Sequence, residues 1–178
     1  MSDKSSAYAT IEAIRSVFGR DDPTKAHQMS REQVLAWMRL PDIEVRGCLC
    51  SMLFEQERVK RIKPPLDFDD YFRFVIPYLE QCIEENPDSE WAESRYSAGS
   101  DLVHWIVRFW KDESVPRTKI ADIKQRLAEL YKRGNAGVRD AVLNAVLEHL
   151  FQYSGLADFF KDWQADPVLA SVYRDALL

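Results

Sequence analysis

The stretch from Asp88 to Asp112, DSEWAESRYSAGSDLVHWIVRFWKD, limits the possible folds more than any other part of the chain. At about 100° per residue, Trp91, Ala98, Leu102, Trp105 and Phe109 fall on one stripe of a helix. Glu90, Glu93, Ser97, Asp101, His104 and Arg108 fall on the opposite side. From Leu102 to Trp110 the apolar band widens through Val103, Ile106 and Val107, the pattern of a helix covered on more than one side. Asp88 or Ser89 would cap its start, and Glu90 and Glu93 would complement the dipole near the first turn. The expectation is a long central helix over about residues 89–111.

The rest of the chain reads as helix too. The 178 residues carry 46% apolar side chains, five Trp and only six Gly, with no run of alternating β-branched residues. That composition points to a packed all-α fold, one domain spanning 1–178 or at most two tightly packed halves. Tyr8–Phe18 reads as a first helix with Ile11, Ile14 and Phe18 facing in and Gly19 as its stop. Ser30-x-x-Gln33 is a capping box for a second, which carries Val34, Leu35, Trp37 and Met38 and ends at Pro41. A third, from Ile43 to Val59, places Val45, Cys48, Leu49, Met52 and Leu53 at core spacing. Lys60–Pro65 reads as a basic connector. Asp67 caps a fourth helix with Pro77 inside it, where a kink or break is expected. After the central helix come Arg117–Lys132 (stopped by Gly134), Ala136–Phe151, a short Leu156–Trp163, and a last helix to Leu177 opened by Asp166-Pro167. Eight or nine helices result.

Cys48, Cys50 and Cys82 are odd in number, and the first two are only two apart on one helix, a spacing that turns them to different sides. They read as reduced, buried thiols, which places the protein in the cytoplasm. The first ten residues lack the apolar core of a secretion signal, and no apolar run approaches the roughly 20 residues of a membrane span.

Gln33–Glu55 and Arg126–Glu148 align without gaps at an offset of 93 residues. Val45-Arg46 matches Val138-Arg139, and Glu55 matches Glu148. Each unit is a helix, a tight turn and a second helix opening on Val-Arg. Asp42-Ile43-Glu44-Val45-Arg46 resembles the start of the second helix in HEAT-like repeats; Gly137-Val138-Arg139 lacks the acid. The resemblance implies stacked α-α hairpins with an extended face for a partner. Two ordinary hairpins of similar composition are the plainer account.

No motif of catalysis stands out. Asp67, Asp69 and Asp70 invite a Mg²⁺ reading, but acids at a helix start are more simply a cap and dipole complement. Asp101 and His104 share one helix face, as an oriented general base would, and as a solvated charge ladder would. His149 has no second ligand at metal spacing, and there is no phosphate loop, nucleophile elbow or Cys–His signature. The expectation is a protein that is not an enzyme and takes no cofactor or metal; a small helical enzyme using Asp101 and His104 is the lesser alternative.

Charge placement is the feature above background. Between Pro64 and Asp101 ten acids face two bases, Arg73 and Arg95, a net charge of −8. The remaining chain has 22 bases and 19 acids, a net +3. Glu84, Glu85, Asp88, Glu90, Glu93 and Asp101 are therefore the candidate contact residues for a basic protein partner, since complementary potential speeds and directs association. The same field disfavours DNA and RNA.

Asn86–Asp112, with Trp91, Ser94-Arg95-Tyr96, Gly99, Asp101-Leu102 and Trp105, resembles small all-helical bacterial proteins of immunity-protein type, as does Gly137-Val138-Arg139 to Glu148. That resemblance implies inhibition of a cognate toxin, of which basic nucleases are one kind, in the cytoplasm; no individual residue role comes with it. A HEAT-like scaffold or adaptor unrelated to toxins is the alternative.

Overall fold

In the computed structural model, which describes residues 4–20 and 22–178, several helices start where a side chain accepts one of their first amides. Helix α1 (Lys4–Val17) ends at Gly19, whose φ of +85° only glycine adopts without strain. A 3₁₀ turn (Pro23–Lys25) leads to the two-residue strand β1 (Met29–Ser30). Ser30 then caps α2 (Arg31–Met38), its Oγ accepting the Gln33 amide at 3.1 Å. Asp42 caps α3 (Ile43–Leu53) by accepting the amides of Glu44 and Val45, each at 3.1 Å. One turn, α4 (Gln56–Val59), precedes β2 (Ile62–Lys63), which pairs in parallel with β1.

Asp67 and Asp70 cap α5 (Phe68–Glu85) reciprocally, each carboxylate accepting the other residue's amide. Pro77 sits inside α5, and the helix runs through it without the break that was one of the two expectations. Helices α6 (Arg95–Lys111) and α7 (Arg117–Arg133) follow, then α8 (Ala136–Ala141). Helix α8 continues as a π-helical stretch (Val142–Leu147) and a last turn, α9 (Glu148–Leu150). The chain ends with α10 (Leu156–Phe159), a 3₁₀ segment (Lys161–Ala165) and α11 (Leu169–Asp175). Among the described residues the fold is all-α, with one two-residue ladder as its only sheet.

The chain forms two compact units, and α5 passes from the first to the second after Tyr78, one residue beyond Pro77. The first unit comprises the residues up to Tyr78 together with Pro87–Glu93. Its core joins Ile11, Ile14 and Phe18 of α1 to Val34 of α2 and Val45, Cys48, Leu49 and Leu53 of α3, all buried as their spacing required. The third helix is shorter than the expected Ile43–Val59. Glu55 is extended, and Arg58 beyond it is buried, donating to the Arg20 carbonyl at 2.7 Å. The basic connector is also not plain loop, because Ile62 is fully buried and draws it into the ladder with Met29.

The second unit comprises Leu79–Asn86 and Ser94–Leu178. Helix α6 packs against α7, α8 and the π-helical stretch, and Gly99 lies close against Ala145 of that stretch. A Cβ there would lie 2.6 Å from the Ala145 Cβ, so only glycine lets the backbones meet. Leu102, Trp105, Ile106 and Phe109 are buried, with the Trp105 and Phe109 rings 5.5 Å apart.

The central helix starts later than its stripe suggested. Three side chains draw 86–94 into a loop by bonding nearby amides: Asn86 accepts from Arg95 at 3.0 Å, Ser89 from Ala92 at 2.7 Å and Ser94 from Ser97. Trp91 is accordingly not helical. Its amide donates to Glu44 at 3.2 Å, and its ring lies under Arg15, 5.0 Å from the guanidinium. A Cβ on Gly47 would come within 2.2 Å of the Trp91 carbonyl oxygen, so the loop rests directly on the glycine.

Three arginines spaced 22 residues apart close the helices of the second unit. Arg95 donates to the carbonyls of Ile83 and Glu84 at the end of α5, at 2.6 and 3.0 Å. Arg117 does the same to Trp110 of α6 at 2.9 Å, and Arg139 to Tyr131 and Lys132 of α7, both at 3.1 Å. A cation there satisfies carbonyls that the helix leaves open and suits the negative end of its dipole. The two Val-Arg elements therefore differ. Val45 and Val138 are both buried, but Arg46 lies over the Phe74 and Tyr78 rings, whereas Arg139 closes α7. Asn135 does at α8 what Asp42 does at α3, accepting the Val138 amide at 3.0 Å.

Candidate functional site

The acid-rich segment holds fewer unmatched charges than its sequence suggests. Arg31 binds both Asp67 and Asp70, at 2.6 and 2.8 Å, which makes these acids a cap and an ion pair. Hydrogen bonds, chiefly from the Asp70 amide, hold the Asp67 carboxyl below its ordinary range. Asp69 pairs with Arg73 at 3.8 Å. Glu80 is buried and takes a two-pronged bond from Arg126, at 2.7 and 2.5 Å. Arg133 reaches Glu84 at 2.9 Å.

What remains lies at the end of α5 and in the connector beyond it. Glu85 is exposed, and its carboxylate accepts from the Gln81 amide group at 3.0 Å, with no ion-pair partner among the described residues. Asp88 and Glu90 are exposed and have no ion-pair partner among the described residues. Glu93 is half-buried, and its amide donates to the Tyr78 hydroxyl at 3.1 Å. Asp101 is half-buried on α6; burial raises its carboxyl above the usual value, and His104 one turn on pulls it back. Of the six candidate contact residues, then, Glu85, Asp88 and Glu90 are open acids within six positions of one another. Glu84 has a partner, Glu93 is turned partly inward, and Asp101 sits in surroundings that resist its charge.

Sequence reasoning counted these charges and missed the bases that answer them. Arg126 and Arg133 lie 46 and 49 residues beyond their acids, and no local pattern ties them together. It also passed over the lining of a cleft in the first unit, formed by Gln28, Glu57, Lys60, Arg61 and Lys63. The signal was present in the basic connector, but not the ladder that fixes it.

Cys48, Cys50 and Cys82 form no disulfide and are all buried. Burial pushes the Cys48 thiol up to about 11, well above its ordinary 9.0, so almost no thiolate exists at neutral pH. The native protein should therefore take up no alkylating reagent at Cys48 within minutes, and the unfolded protein should take up three equivalents, one per cysteine. Intact-mass measurement before and after denaturation checks this; rapid native labelling of Cys48 would contradict it.

Among the described residues no group of His, Cys, Asp and Glu has the arrangement of a metal site, and no helix is long and apolar enough to cross a membrane. Compared with models of protein families, with curated proteins and with solved structures, the chain matches none, which leaves its own surface chemistry to indicate what it binds.

Proposed function

We propose that the chain is a non-enzymatic protein-binding module that engages a basic partner through the acidic segment 85–90, and that it acts as the cytoplasmic immunity protein of a cognate toxin. The observation that carries this reading is the contrast between the acids. Those at Asp67, Asp69, Asp70, Glu80 and Glu84 are held by bases of the fold, whereas Glu85, Asp88 and Glu90 are presented to solvent. Unanswered charge of one sign in a short segment raises the encounter rate with an opposite charge and penalises acidic competitors. Glu84, Glu93 and Asp101 complete the proposed contact set at its margin.

The test uses the full chain as affinity bait beside a variant with Glu85→Lys, Asp88→Lys and Glu90→Lys. A basic protein captured by the wild type and lost with the variant, and whose toxicity on expression is relieved by the wild-type chain, supports the reading. A captured partner without toxicity turns the proposal to a scaffold or adaptor. Equal capture by both baits removes the acidic segment from the interface.

A further inference from the structure

The first unit carries a feature of opposite sign. A cleft of about 370 Å³ beside the β1–β2 ladder is lined by Gln28, Glu57, Lys60, Arg61 and Lys63. The ladder fixes this lining. Its register sets Met29 beside Ile62 and Ser30 beside Lys63, and the Met29 amide donates to the Arg61 carbonyl at 3.1 Å. Met29 and Ile62 are buried, which anchors the two segments while Gln28, Arg61 and Lys63 stay exposed.

Only one pair within the lining is internally satisfied, Lys60 with Glu57 at 2.5 Å. The side chains of Gln28, Arg61 and Lys63 have no hydrogen-bond or ion-pair partner among the described residues. Three guanidiniums of the same unit are committed: Arg20 to Glu12, Arg31 to Asp67 and Asp70, and Arg58 to the Arg20 carbonyl. An Arg fork, a Lys ammonium and a Gln amide thus bring unused donors to one concave site, with no acceptor besides the paired Glu57 and the Gln28 amide oxygen.

We propose that this cleft binds the phosphate group of a small anionic ligand. Three cations against one acid give the lining a net charge of +2, which suits a phosphate dianion better than a monocarboxylate. A guanidinium binds phosphate oxygens in two-pronged geometry, and a lysine adds a point charge. The volume exceeds what one phosphate fills and falls in the range of roughly 300–1,000 Å³ for small-ligand sites, leaving room for the remainder of the molecule. The site is independent of the acidic segment and would operate whether or not that segment binds a protein.

The experiment is a titration of the full-length, ¹⁵N-labelled protein with inorganic phosphate at constant ionic strength. Saturable amide shifts at Gln28 and Lys60–Lys63 are expected, with acetate binding more weakly at the same residues. Arg61→Ala should weaken phosphate binding about tenfold or more, the scale of a lost charge-assisted pair. Lys161→Ala, an exposed lysine of the other unit, should bind as wild type does. If Arg61→Ala does not fold, Lys63→Gln serves in its place with the same expectation. Unsaturated shifts spread over all exposed bases would overturn the proposal, as would equal affinity for acetate, or unchanged phosphate affinity in the folded variant.

Discussion

Trp105→Ala should lower the unfolding free energy by about 3–5 kcal/mol, the cost of truncating a large aromatic in a core that cannot collapse around the gap. Trp105 is 2% exposed, and its ring packs 5.5 Å from Phe109. Arg108 lies over the indole, 5.0 Å from its centre, so a charged side chain also loses its seat. Close packing with Ala145 at Gly99 restricts how far α6 can shift to fill the cavity. Denaturant unfolding measures the loss; a change under about 1 kcal/mol would mean that the site relaxes as a surface site does.

Glu80→Ala should have the second largest effect. Glu80 is 7% exposed and bound on both oxygens, so its removal strands the Arg126 guanidinium beside a desolvated hole. Removing one partner of a fully buried pair costs roughly 3–5 kcal/mol. The Arg126 side chain is 40% exposed and can be rehydrated, which brings the expected loss to about 2–3 kcal/mol. Glu84→Ala is the control. Its pair with Arg133 has side chains 40% and 58% exposed, and surface pairs of that kind are worth about 0–1 kcal/mol. Similar losses for the two variants would contradict the assignment of Glu80 as a structural acid.

Short-range chemistry is what the sequence made legible. Ser30, Asp67 and Asp166 stand within four residues of the amides they cap, so their roles follow from spacing alone, and so does Gly134 at the end of α7. The buried stripe Ala98, Leu102, Trp105 and Phe109 follows equally from helical period. Trp91 fits the same stripe and is misassigned by it, because periodicity is blind to the competing local bonds of Ser89 and Ser94 and to the seat that Gly47 offers. Ladder pairing across 33 positions, as between Met29 and Ile62, is likewise invisible to a window that spans a few turns.

The candidate site shows the same division. Net charge is additive along the chain and readable from it, but whether an acid is available depends on distant partners. Glu80 and Glu85 are five residues apart and indistinguishable as letters; one is sealed by Arg126 and the other faces solvent. The three arginines that close α5, α6 and α7 were each visible as residues, and their common task appears only when the preceding carbonyls are in place.

The most direct test of acidic docking is the association rate of the captured basic partner, measured against ionic strength. For the wild-type chain the rate should fall steeply as salt rises, because exposed charges steer the encounter and are screened beyond about 10 Å at 0.1 M salt. For the variant with Glu85→Lys, Asp88→Lys and Glu90→Lys it should be lower at low salt, on the order of tenfold or more, and rise as salt screens the reversed charges. Unfolding of that variant should match the wild type, since none of the three carries an ion pair among the described residues. Equal rates and equal salt slopes for the two proteins would contradict the account and move the binding surface elsewhere.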